Sequence, residues 1–144
     1  MKSLTTILLT LLVSMGAWTY NESDLLKLKS LNACEDCDLR GANISKDRLL
    51  DPSLYFAILK AANLKRANLS KAYLKRANLS EANLSEANLT GANLTGANLK
   101  GANLKEANLS EANLTGANTK NVRLDGAKYC KTKMPWGELN DGCP

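Results

Sequence analysis

The chain has 144 residues, room for one domain preceded by a leader. Its apolar residues are mostly Leu and Ala, with one Phe and two Trp, so a conventional core of mixed aromatic and β-branched bulk is excluded and the packing has to be repetitive. The formal charge of +5 permits attraction to anionic polymers or membrane surfaces without requiring it, and the absence of His removes the commonest general base and the commonest metal ligand together.

Residues 1–19 read as a secretory signal peptide. Lys2 supplies the charged start, and residues 4–17 form an apolar stretch of the length of a signal core. A membrane span needs about 20 apolar residues, and polar Asn21, Glu22 and Asp24 follow too soon for one. Cleavage after Ala17, or after Thr19 with Ala17 at the −3 place, fits the small-residue rule. No Cys lies near the cut, so a lipoprotein is not expected. Losing Lys2 leaves 18 basic residues against 14 acidic ones, a mature charge of +4. Residues 20–36 are then expected to form an N-terminal cap. Asn21-Glu22-Ser23-Asp24 resembles a helix start, and Leu25, Leu26, Leu28 and Leu31 give an apolar face to a helix over 23–32.

From Cys37 to Lys131 the chain divides into 19 groups of five without losing step. The third residue of the group is Leu in 16 of them, and the exceptions are Ile44, Thr119 and Tyr129. The first is Ala in 15, and the exceptions are Cys37, Asp47, Pro52 and Val122. A helix repeats every 3.6 residues and a flat strand every 2, so neither keeps a period of five on one face. Ala and Leu stand two apart, as same-face residues of a short extended piece do. The last two places carry Ser, Thr, Gly, Lys, Arg or Glu, which suit a solvated corner. Each group is therefore a short strand and a turn, and stacked coils of such groups pair as parallel strands about 4.8 Å apart.

The A-N-L-[ST]-[GE] run between Ala62 and Asn118 resembles the pentapeptide-repeat family. The resemblance implies an all-β fold, a right-handed quadrilateral parallel β-helix with four groups per coil, the central Leu and the Ala two before it pointing inward. The inward set includes Leu64, Leu69, Leu74, Leu79, Leu84, Leu89, Leu94, Leu99, Leu104, Leu109 and Leu114. Asp47 and Pro52 depart from the pattern at inward places, which makes 47–56 a candidate bulge, although the phase is recovered at Ala57. Twelve groups carry Asn at the second place. Those amides are read either as a hydrogen-bonded ladder along the rod or as residues tolerated at a bend.

A solenoid exposes its core and its strand edges at each end, so caps are expected. Residues 132–144 are the C-terminal one, with Pro135, Gly137 and Asn140-Asp141-Gly142 as turn signals and Trp136 placed to lie over the last coil. All four Cys fall near these ends. With four groups per coil the two pairs are separated by roughly 20 Å along the rod, and a disulfide needs Cα atoms within about 7 Å. The expected pairs are therefore Cys34–Cys37 and Cys130–Cys143. The same separation excludes a four-Cys zinc site in one chain. A redox role for Cys34-x-x-Cys37 would want a thioredoxin-like βαβ context, which the sequence lacks.

No catalytic constellation converges, and no cofactor or metal is expected. Ser and Thr recur at the outward fourth place as repeat filler, and the acids are scattered. Stacking residues 20 apart gives a column of Arg40, Lys60, Ser80, Lys100 and Lys120. It also gathers Tyr55, Phe56, Tyr73, Lys75 and Arg76 into an aromatic-basic neighbourhood, and the charges at Lys60, Lys65, Arg66, Lys71, Lys75 and Arg76 form a basic belt. Such a belt is either a grip for a linear polyanion or a solvated surface. ANLSEANLTGAN occurs at 82–93 and again at 107–118, an offset of 25 that moves the copy to a different side and favours interchangeable units over addressed faces. Three functions follow: an exported, non-enzymatic scaffold for a protein partner, a binder of anionic polymers or surfaces, and a DNA mimic that inhibits topoisomerase, as some members of the family are. The last uses an acidic surface in the cytoplasm, against the basic, exported character read here, and nucleic acid is not expected as a partner. The mature chain is expected to lack a transmembrane segment and to be a monomer or weak end-to-end dimer in the periplasm, the extracellular space or a photosynthetic lumen.

Overall fold

A computed structural model describes residues 20–47, 49, 52–141 and 143–144. The signal-peptide expectation at 1–19 lies outside them. Parallel bridges recur every five residues, and each joins residues 20 apart, as in Asn63↔Asn83, Asn68↔Asn88, Tyr73↔Asn93 and Asn78↔Asn98. Four bridges are thus passed per coil, and the chain climbs as a four-sided spiral. The ladder runs from Ala33↔Ser53 to Asn113↔Lys133, so it takes in one group before Cys37 and part of one after Lys131.

The hydrogen bonds of a single group explain its consensus. In Ala87–Gly91, the Ala87 N–H donates to the Leu84 carbonyl across the preceding corner, and the Asn88 N–H donates to Ala67 in the coil below. The Leu89 and Gly91 N–H groups donate to Asn108 and Ser110 in the coil above. That leaves the Thr90 N–H at the corner, and it donates to the Asn88 side-chain oxygen at 3.1 Å. All five donors are satisfied, as buried and half-buried backbone requires. Asn is therefore neither a passive bend residue nor chiefly a ladder: its oxygen closes its own corner as an Asx turn. The ladder bonds exist beside this, at 3.3 Å for Asn63 to Asn43 and 3.2 Å for Asn88 to Asn68.

Replacing Asn88 by Ala removes the Thr90 backbone bond, the Thr90 hydroxyl bond at 2.7 Å and one ladder bond. At about 0.5–1.5 kcal/mol net per bond, a loss of about 1.5–4.5 kcal/mol is expected in chemical denaturation. Asn88→Asp keeps the acceptor and loses only the ladder donor, so it should cost clearly less. Equal costs for the two would make the ladder, not the corner, the source of the stability.

Each corner is also tight. The Ala92 N–H donates to the Leu89 carbonyl at 3.0 Å, and Gly91 between them has φ +68°, the pattern of a type II turn. Glycine suits this place, yet Arg66, Lys71, Arg76 and Glu86 hold the same left-handed conformation with φ between 54° and 60°. Non-glycine residues there cost of order 1 kcal/mol each, which the flanking ladder bonds offset.

The inward Ala and Leu of the middle coils are fully buried, and each of the eleven central Leu from Leu64 to Leu114 is 0% exposed. Burial of a Leu contributes roughly 1.5–3 kcal/mol, repeated at every side of the middle coils between Leu64 and Leu114. Across 47–56 the described residues keep the register. Asn68 N–H reaches the Asp47 carbonyl, Tyr73 N–H reaches Pro52, and Leu49 and Leu54 are buried. Asp47 turns its carboxylate to Lys29, with 3.5 Å between them.

Helix α1 (Glu22–Leu31) closes the N-terminal end. Asn21 caps it by accepting from the Ser23 and Asp24 N–H groups, and Glu22 and Asp24 in the first turn suit the positive end of the helix dipole. Asn32, left-handed at φ 53°, ends it. Of the four Leu expected to form its apolar face, Leu28 is buried and Leu25 packs against the core, whereas Leu26 and Leu31 are exposed. The helix also fills the first strand edge: Asn21 N–H donates to the Asp38 carbonyl, and the Asp24 carboxylate accepts from Asp38 N–H.

At the other end, β1 (Thr132–Met134) continues the spiral and β2 (Gly137–Leu139) folds back antiparallel to it. The expected plug was Trp136. It stands in the hairpin turn at 61% exposure, and Met134, at 3%, occupies the inward place instead. The five-residue phase explains this, since Met134 follows Leu114 by 20 and Trp136 falls at a corner. Both expected disulfides are present, Cys34–Cys37 and Cys130–Cys143. Cys34 and Cys37 stand at successive inward places and are buried, so the first bridge forms the floor of the core. Among the described residues no helix is long and apolar enough to cross a membrane.

Candidate functional site

The outward side chains lie on a fixed grid, because the corners repeat every five residues and the coils every 20. Tyr55 and Phe56 share one corner, and Lys75 and Arg76 sit directly above them. The two rings meet edge to face with centroids 4.5 Å apart. The Lys75 ammonium lies 5.7 Å from the centre of the Tyr55 ring, and the Arg76 guanidinium lies 5.8 Å from that of Phe56. Tyr73 takes an Asn place on the same side, between Ser53 and Asn93 in the ladder, and is exposed. Tyr55, Phe56, Lys75 and Arg76 form one cluster, held by ring and cation–π contacts within the protein itself, with Tyr73 on the same side.

Lys60, Lys65 and Arg66 belong elsewhere. Lys60 follows the next side of the coil and faces Glu81 at 3.9 Å. Lys65 and Arg66 lie two corners from Arg76, and both engage Glu86 in the coil above, Lys65 at 3.3 Å and Arg66 through its Nε. The belt of the sequence is therefore a ring around one coil, and half of it is neutralised by acids one coil further on. The signal was readable: acids 20 or 21 places after a cation, at Glu81 and Glu86, stand on the neighbouring rung.

Hydrogen bonding from Arg66, with that from Lys65, holds the Glu86 carboxyl below its ordinary value of 4.5. The folded value lies below the unfolded one, so this pairing contributes above pH 4.5 and is lost as pH falls through the folded value. In Arg66→Met the Glu86 titration followed by NMR is expected to move up towards 4.5. An unmoved titration would mean that Arg66 does not engage Glu86 in solution.

The Asp24 carboxylate lies within 4.8 Å of the Cys34 and Cys37 sulfurs. Both sulfurs are spent in the disulfide, and the carboxylate accepts from a backbone N–H, so this is a structural junction and not a ligand set.

A family profile described as pentapeptide repeats matches residues 57–96 and 92–128, half of the chain. The chain belongs to the pentapeptide-repeat family. Its relatives among solved structures include a pentapeptide repeat protein from the thylakoid lumen of Arabidopsis thaliana, 31% identical, which covers 88% of this chain and 78% of its own at a TM-score of 0.57. Rfr23 from the cyanobacterium Cyanothece is 33% identical and covers 78% of this chain and 97% of its own, with a TM-score of 0.36. HetL, a pentapeptide repeat protein involved in heterocyst differentiation regulation in Nostoc, is 35% identical over 73% of this chain, with a TM-score of 0.35. The pentapeptide-repeat chain described here spans 55% of HetL. No curated protein matches it in sequence. Membership implies the right-handed β-helix of the family for the spiral of 20-residue coils.

Proposed function

We propose that the chain is an exported, non-catalytic scaffold that presents a rigid grid of side chains to a protein partner. One observation carries this reading: among the described residues the parallel ladder recurs every five residues from Ala33 to Lys133, so the outward side chains are held at a spacing set by the backbone. The two disulfides, one beside each end of the rod, and the 31% identical neighbour from a thylakoid lumen support an extracytoplasmic address. The rival reading, a grip on anionic polymers, is weakened by Glu81 and Glu86, which occupy cations of the belt.

The test is capture from an extracytoplasmic fraction by the immobilised, oxidised chain. A single enriched protein that survives high salt is the expected result. Enrichment of polyanions alone, released by salt and lost in Lys75→Glu/Arg76→Glu, would replace the scaffold reading with its rival.

A further inference from the structure

The two ends of the rod are closed unequally. Along the spiral, the N–H groups of the third and fifth residues of a group donate to the coil above, and the carbonyl of the first residue accepts from it. In the last coil the Thr119, Asn121, Leu124 and Gly126 N–H groups and the Ala117 and Val122 carbonyls have no such partner among the described residues. The neighbouring sides are covered in part, since the Gly116 N–H on one and the Tyr129 N–H and Ala127 carbonyl on the other also lack a backbone partner among the described residues. β2 lies along β1 on one, and on the other the Asn140 side chain accepts from the Lys131 N–H beside the Cys130–Cys143 bridge. Among the described residues, nothing pairs along the two sides between them, Ala117–Asn121 and Val122–Gly126, which form an open strand edge.

The core is open at the same place. Val122 and Leu124 are only partly buried, whereas Ala102 and Leu104 one coil earlier are 0% exposed. The outward chemistry changes there too. After Asn103 and Asn108 the second-place columns end in Arg123 and Lys128, both exposed, and Lys120 stands at the corner between the two open sides. With Lys131 and Lys133 beside the edge, five cations stand over residues 117–141 against the three acids Asp125, Glu138 and Asp141, so this end of the rod keeps a cationic excess.

We infer that this edge takes up an extended, acidic segment of a partner protein as an added strand. The assignment rests on the scaffold reading and names where that scaffold holds its partner. Strand addition supplies partners for the unpaired backbone groups, alternate apolar side chains of the segment cover Val122 and Leu124, and acids between them meet the cationic rim. A second copy of this chain is the poorer occupant. Stacked head to tail it would need the N-terminal edge, which α1 covers, and tail to tail it would bring the Arg123 and Lys128 rims of two molecules together.

The test pans a displayed library of unstructured decapeptides against the oxidised full chain. Enrichment of acidic sequences with alternating apolar residues is expected. A synthetic enriched peptide should slow amide exchange at Thr119, Asn121, Leu124 and Gly126. Binding should fall about tenfold in Arg123→Glu/Lys128→Glu, the loss of two surface ion pairs, and should vanish when alternate peptide amides are N-methylated. Protection of other amides, enrichment without acids, or undiminished binding of the methylated peptide overturns the assignment. So does a self-associated dimer that protects the same four amides. A protein captured equally by wild type and the double variant sinks the edge and spares the scaffold. Capture of nothing by either sinks the scaffold, and the library still decides the edge.

Discussion

Leu89→Ala is expected to cost about 2–5 kcal/mol of folding stability, read as a lower midpoint in chemical denaturation. Leu89 is 0% exposed, and its coil neighbours Leu69 and Leu109, 20 residues away on either side, are equally buried. The gap left by three carbons cannot collapse easily, because the backbone around it is fixed by ladder bonds to both coils. The damage should also be local in its reach. A repeat array is held by nearest-neighbour contacts, so hydrogen exchange should quicken first in the coils on either side of Leu89. Leu124→Ala supplies the control, since Leu124 is only partly buried at the open end and should cost clearly less. Equal costs at the two sites would mean that the central column is not the packed core.

Cys130→Ala/Cys143→Ala is expected to lower stability by about 3 kcal/mol, the loop-entropy value for a ring of this size. The two residues are 13 apart, and between them lie β1, β2 and the Asn140 side chain that satisfies the Lys131 N–H. Without the bridge the hairpin is held chiefly by Thr132, Met134 and Leu139, which is little apolar area for a cap. Reductant should bring the wild type towards the variant and leave the variant almost unmoved. Identical melting of the wild type with and without reductant would show that neither bridge constrains the chain. The Cys34–Cys37 ring is shorter and contributes less through entropy. Its sulfurs line the core, however, so a polar replacement there would add the cost of burying a hydroxyl without a partner.

The spiral was legible because a period of five allows one Leu column and one Ala column to face the same interior, and no other regular structure does. The same arithmetic placed both Cys pairs at opposite ends. What the sequence did not yield was the use of each polar residue. Asn88 could bond along the rod or around its own corner, and only the orphaned Thr90 N–H shows that the corner comes first. Trp136 looked like a lid because it is large and apolar, yet the register gives the inward place to Met134. The basic belt looked continuous because charges were counted along one coil, and its acids stand on the next. The open edge at Thr119–Gly126 was hidden for a related reason. Which sides a C-terminal hairpin covers depends on where it folds back, and turn residues alone do not say.

The donor-by-donor closure of a single group also bears on how such a chain can change. Because each five-residue unit satisfies its own backbone and borrows only from the rungs above and below, splicing in one more unit leaves no bond orphaned and no Leu misplaced. It does turn everything downstream by a quarter revolution. The two copies of ANLSEANLTGAN, 25 residues apart, are offset in this way. A lineage built on this chain can therefore re-aim its distal end against its proximal one, in ninety-degree clicks, without ever repacking its interior.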